Sequence, residues 1–277
     1  MRHQSILAYA SYRYLKLAAV VALATIALYA WHRPPNGPYG GTWLGYSLGT
    51  IGALLIGWLL WFGVRKRQYG STAGMLQGWL SAHVYLGTTL ILVATLHAAF
   101  KVGWNVHTLA YVLMLMVIAS GFYGVYAYLR YPRLMTDNLG DDTLEMLLIK
   151  VADLDKQARQ LALSLPDAIS KLVLASAQGT QIGGSWWQQL SGSVPDCPTD
   201  TAVAGVQELG RKFAGEQAKT NRQLYTLLLK KQELVARARR DVRLKARLDI
   251  WLYFHVPLSI ALLVALTIHI VSVFFYW

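Results

Sequence analysis

Residues 79–100, "WLSAHVYLGTTLILVATLHAAF", are long and apolar enough to cross a bilayer, yet they carry two histidines, His83 and His97, fourteen residues apart. An imidazole in hydrocarbon needs a partner, and polar groups inside a span usually serve a function. The partner of these two decides how the whole chain is read.

The rest of the chain has the same character. Of 277 residues, 55% are hydrophobic and only 14% charged, which excludes an ordinary soluble domain and predicts a multi-pass membrane protein. The 10 Trp and 16 Tyr suit interfacial anchors. A single cysteine, Cys197, excludes an internal disulfide, a CxxCH haem attachment and a four-cysteine iron–sulfur cluster. Neither GxGxxG nor GxxxxGK[ST] occurs. The net charge of +12 reports orientation rather than a nucleic-acid partner.

Apolar runs predict spans over about 14–31, 46–64, 79–100, 107–129 and 250–276. The first is read as a retained helix rather than a signal peptide, because "LYAWHRPP" ends it with the Trp and Pro of a span leaving the membrane. Basic residues crowd one side: Arg2, Arg13 and Lys16 before the first span, Arg65, Lys66 and Arg67 after the second, Arg130 and Arg133 after the fourth. Arg237, Arg239, Arg240, Arg243, Lys245 and Arg247 precede the fifth, while the opposite loops offer only Arg33 and Lys101. The positive-inside rule then puts the N-terminus and the long insert in the cytoplasm of a bacterial-type inner (plasma) membrane, with the C-terminus outside.

The expected organisation is all-α: transmembrane helices 1–4 over 1–131, a helical insert over 132–248 and helix 5 over 249–277. In the insert, Leu147, Val151, Leu154, Ala158, Leu161 and Leu165 step by four and three, the seam of a coiled coil. Pro166 breaks the register, residues 179–200 read as a Gly/Pro/Ser loop, and a second helical pattern follows from about 201 with Phe213, Leu224, Leu227, Leu228 and Leu234 apolar. This predicts an antiparallel helical hairpin, either a solvated spacer or a docking platform with Trp186 and Trp187 near its tip. Cys197 is expected to report the insert's side through thiol labelling.

The fifth span, "WLYFHVPLSIALLVALTIHIVSVFFYW", carries His255 and His269, again fourteen apart. Fourteen residues make nearly four helical turns, so each pair shares a face, with its members about 21 Å apart along the axis. Spans three and five run in the same direction, which sets His83 at the depth of His255 and His97 at that of His269. Zinc is a weaker candidate, because neither level offers a further strong ligand such as Cys, Asp or Glu. Two axial imidazoles suit haem iron, and the expectation is two bis-histidine b-type haems, His83/His255 on the cytoplasmic side and His97/His269 on the outer side. Gly49 and Gly63 of the second span are also fourteen apart, Gly121 and Gly124 lie towards the inner level, and Gly87 is one turn from His83. Such glycines let a porphyrin approach a backbone, although helix packing also uses them.

These paired histidines on helices three and five, with the glycine pair on a neighbouring span, resemble the dihaem cytochrome b core shared by the N-terminal half of cytochrome b/b6 and the ferric-reductase-like transmembrane domain. The resemblance covers spans two to five, as a four-helix haem-binding bundle. It implies that the four histidines are axial ligands. It does not extend to flavin or nicotinamide domains, to later cytochrome b helices or to the insert, so a subunit of a larger oxidoreductase complex is expected.

His107, in "KVGWNVHTLAY", is read as an ordinary interfacial residue ahead of a quinone pocket or a propionate contact; His3 and His32 are read as surface residues, and Arg67 and Arg247 as groups that could neutralise propionates but whose abundance there topology already explains. The expected function is electron transfer across the bilayer, between a redox partner or quinone and a partner on the other face. Partners would be a periplasmic cytochrome or iron–sulfur protein, or a cytoplasmic redox protein, besides membrane lipid. The rivals are a membrane-anchored coiled-coil sensor or scaffold, which leaves the matched histidines unexplained, and a proton-coupled transporter, which would be expected to carry acidic residues in its spans.

Overall fold

A computed structural model describes residues 6–67, 75–192 and 194–275. Arg2, His3, the side chain of Arg67 and the last residue of the fifth predicted span fall outside them. Every regular element among the described residues is helical, and five helices are long and apolar enough to cross a membrane. The chain divides into two units, residues 1–125 with 251–277, and residues 126–250.

The first unit holds α1 (Arg13–Trp31), α2 (Trp43–Arg67), α3 (Leu76–Ala98), the opening of α4 (Val106–Leu139) and the end of α9 (Gly215–Phe275). Leu23, Leu54, Val264 and Phe274 are exposed on their helices, a greasy exterior suited to lipid rather than water. Inside, Leu44 and Leu48 of α2 pack on Val93 and Leu96 of α3.

A second cluster joins Ile56 of α2, Leu90 of α3, Met114 of α4 and Leu262 of α9. Each of these four is the midpoint of a fourteen-residue interval: Gly49 to Gly63, His83 to His97, His107 to Gly121, and His255 to His269. Seven residues make almost two turns, so one apolar layer separates two layers of histidine and glycine.

The turn before α4 fixes where that helix starts. Ala99 and Phe100 take left-handed backbone, with φ of 47° and 60°, and close α3. Asn105 Oδ1 then accepts the Thr108 amide at 2.9 Å, and the Thr108 hydroxyl accepts the Gly103 amide at 3.0 Å. An asparagine N-cap satisfies amides that have no intrahelical acceptor, and it sets His107 in the first turn of α4.

The second unit differs from the two-armed hairpin expected. α5 (Leu144–Ala162), α6 (Asp167–Gly179), α8 (Pro198–Gly210) and the first part of α9 converge on one core, with Ala158, Ile169, Val173, Val206, Leu224 and Leu228 at its centre. Pro166 ends the first arm as expected, but the second arm is also cut, between Gly210 and Gly215. The supposed loop contains a short helix, α7 (Trp186–Ser191), opened by a reciprocal Ser185–Gln188 capping box. Trp186 and Trp187 are exposed.

On α9 the buried stripe is Leu224, Leu228, Lys231, Val235 and Ala238. Lys231 is 1% exposed and donates to Asp155 Oδ1 at 2.6 Å and to the carbonyl and hydroxyl of Ser176 at 2.9 Å each. A buried ammonium persists only when paired and hydrogen-bonded in this way. Arg237 donates to the Asn138 and Leu139 carbonyls at the end of α4, which lack intrahelical donors. Cys197 is buried, with Arg239 Nη2 3.3 Å from its sulfur, so the thiol expected to be a ready labelling probe is shielded by the fold.

Candidate functional site

At one level of the first unit, three imidazoles meet. The His97 and His269 rings have centroids 6.2 Å apart, with planes inclined at 70°. Two imidazoles bound on opposite sides of one metal, each at about 2.0 Å, place their centroids roughly 6 Å apart, so this pair fits a shared metal atom. The third ring is His107, 5.4 Å from His97 and 4.8 Å from His269. One potential ligand atom from each of the three lies within 4.8 Å of the others.

His97 is held by α2. Its Nδ1 donates to the Gly45 carbonyl at 2.7 Å, so Nε2 is the ring atom left available, the arrangement metal-ligating histidines adopt. Gly49 permits it: a Cβ there would stand 2.7 Å from His97 Cε1 and 2.9 Å from Nδ1.

The second level repeats this device on other helices. His255 Nδ1 is 2.8 Å from the Ser120 hydroxyl, whose own proton goes to the Val117 carbonyl at 2.7 Å. His255 must therefore donate from Nδ1, leaving its Nε2 free as well. Gly121 lies beside that ring, since a Cβ there would sit 3.7 Å from His255 Cε1. His83 shares a hydrogen bond with the Leu59 backbone; its ring packs 5.0 Å from that of Phe62, and its Nδ1 is buried with no hydrogen-bond partner. Trp251 covers His255 at 5.4 Å.

The remaining expected residues are placed as follows. A Cβ on Gly124 would collide with the Trp251 indole, Gly87 faces Leu59, and Gly63 faces open space. His32 is not the surface residue expected: it packs edge-on against Trp43 at 5.0 Å, with Nε2 buried and unpartnered among the described residues. His107 also departs from its expected role as an ordinary interfacial residue: it brings a third imidazole beside His97 and His269, where no further potential ligand was expected. The signal for it was in the register, because His107 precedes Met114 by seven residues and Gly121 by fourteen.

No family model, curated protein or solved structure matches this chain.

Proposed function

We propose that the chain is the b-type dihaem subunit of a membrane electron-transfer complex. His83 and His255 would hold one haem and His97 and His269 the other. The observation that carries this reading is the matched pair of anchored imidazoles. His97 and His255, on different helices and at different levels, each donate from Nδ1 to a neighbouring helix and keep Nε2 available. A scaffold has no use for that arrangement. A proton relay would be served by histidines free to exchange both ring protons, and here two Nδ1 protons are committed.

Haem iron, when bound, supplies one-electron chemistry. The protein's own part is to hold the imidazoles, to keep water from them with the Leu90, Met114, Ile56 and Leu262 layer, and to set the two levels about 21 Å apart by helical rise. The Lys and Arg bias supports a cytoplasmic insert, and on that topology the His83 level would lie nearer the cytoplasmic side. Redox partners on the two faces, a quinone among them, would complete the circuit.

The test is the visible spectrum and pyridine haemochrome of the purified protein. Two non-covalent b-type haems per chain are expected. A colourless preparation would refute the reading and favour the scaffold or the transporter.

A further inference from the structure

Three imidazoles converging in an apolar unit call for a common partner. As they stand, a porphyrin does not fit between His97 and His269. With ring separations of 5.4, 4.8 and 6.2 Å, the His107 centroid lies about 4 Å from the midpoint of that pair, in the plane the macrocycle would fill. The same separations suit a single ion. The point equidistant from the three centroids is about 3.2 Å from each. A metal bound to a ring nitrogen at about 2.0 Å stands roughly that far from the ring's centroid. His107 Nδ1 and His269 Nε2 are 3.5 Å apart, long for a hydrogen bond but the spacing of two nitrogens in a trigonal set at that bond length.

We propose that His97, His107 and His269 bind one divalent ion of the metals that favour imidazole, zinc first among them, and that this ion and a haem exclude one another at this level. Zinc is the weaker candidate for a pair of histidines because a third strong ligand is lacking, and His107 supplies it. Three imidazoles and a water are the ligands of a tetrahedral zinc site with one open position, and copper and nickel accept the same donors. The Nδ1 bond of His97 to the Gly45 carbonyl is the outer-shell support such a ligand needs. A haem on His97 and His269 requires the His107 ring to turn aside, and a cavity of about 140 Å³, lined also by Thr95, Lys101 and Tyr111, lies against it. The position of one ring thus selects the occupant. The ion site stands on its own distances; only its exclusion of haem rests on the dihaem reading above.

The experiment uses full-length protein in detergent, purified from haem-replete cells and from cells starved of haem synthesis. After equilibration with zinc and removal of loose metal, zinc is counted by plasma mass spectrometry and haem by pyridine haemochrome. Haem-starved protein should hold one zinc per chain, lost in His107→Ala and kept in His83→Ala. Cobalt in its place should give the visible bands of a four-coordinate site. Added haemin should release the zinc as the second haem enters. Elution at the wild-type volume shows that the starved chain is folded, and the His83-level haem of replete His107→Ala shows the same for that variant. Zinc held equally by wild type and His107→Ala, or by neither, overturns the site. One zinc retained beside two haems overturns the exclusion. Haem-replete wild type with fewer than two haems overturns the dihaem reading instead, and is told apart because the His107-dependent zinc is counted in protein without haem.

Discussion

The two histidine levels use the same parts in different numbers. Each has one imidazole anchored through Nδ1 on a neighbouring helix and seated beside a glycine: His97 with Gly45 and Gly49, His255 with Ser120 and Gly121. Around His97 stand two further imidazoles, His107 and His269, whereas no cluster of three such groups forms around His255 among the described residues. The levels therefore differ in how many imidazoles they bring together among the described residues.

The largest effect should come from removing a ligand of the His83 level. His83→Ala or His255→Ala is expected to remove one haem completely and leave the other, because the remaining donors are about 21 Å away by helical rise. Redox titration followed in the visible region resolves which component is lost. The pairing is refuted if His83→Ala and His269→Ala abolish the same spectral component.

Next in size is a contrast between two glycines of one helix. Gly49→Ala drives a methyl into the His97 ring, with nowhere to go but against Cε1 at 2.7 Å. It should weaken haem retention at that level by up to about 100-fold, as loss of an outer-shell support does. Gly63→Ala meets nothing within 4 Å and should leave haem content unchanged. Haem lost equally from both variants would mean that α2 packs differently from the arrangement described.

That contrast also marks what was legible in the sequence. The five spans, and the shared face of His83 with His97 and of His255 with His269, follow from hydropathy and a period of 3.6. Gly49 was found because its partner lies fourteen residues away. His107 was missed because its register partner is a glycine on the same helix, Gly121, so no second histidine advertised it. In the polar unit the four-three seam found Leu147, Val151 and Ala158, which are buried, but counting apolar residues alone passed over Lys231 and Asp155. A buried ion pair is invisible until two distant helices bring its halves together. The hairpin expectation failed for a related reason: pattern on one chain shows where a stripe lies, not how many helices cover it.

A smaller effect should follow from Ser120→Ala. Without the Ser120 oxygen, His255 Nδ1–H loses its acceptor, and the imidazole becomes a weaker donor to ferric iron. Affinity for the His83-level haem should fall by about 10-fold and its midpoint potential should rise, while the other haem keeps its potential. A redox titration showing both potentials unmoved would mean that Ser120 does not orient the ring.

The smallest effect concerns a second buried atom without a partner. Like His83 Nδ1, Asp241 Oδ1 of the polar unit is buried with no hydrogen-bond partner. Burial raises the Asp241 pKa above the ordinary carboxylate range, and Lys245 offsets part of that rise. The sign follows: between the unfolded value, about 3.9, and the raised folded value, the folded chain holds a proton that the unfolded chain has released. Stability of this unit should therefore fall as pH rises through that window, and the loss should persist at neutral pH. Asp241→Asn removes the charge, so it should stabilise the unit at pH 7 by roughly 1 kcal/mol and flatten the slope just above pH 4. Cys197 supplies the measurement, because it is buried in the same unit and is the only thiol of the chain. Its labelling rate, compared between variant and wild type at each pH, reports how often the unit opens. Slower labelling of Asp241→Asn at pH 7, converging on wild type as the pH falls, is the expected pattern. Faster labelling at pH 7 would show that the carboxylate is paired in solution and that its burial is not the cost described.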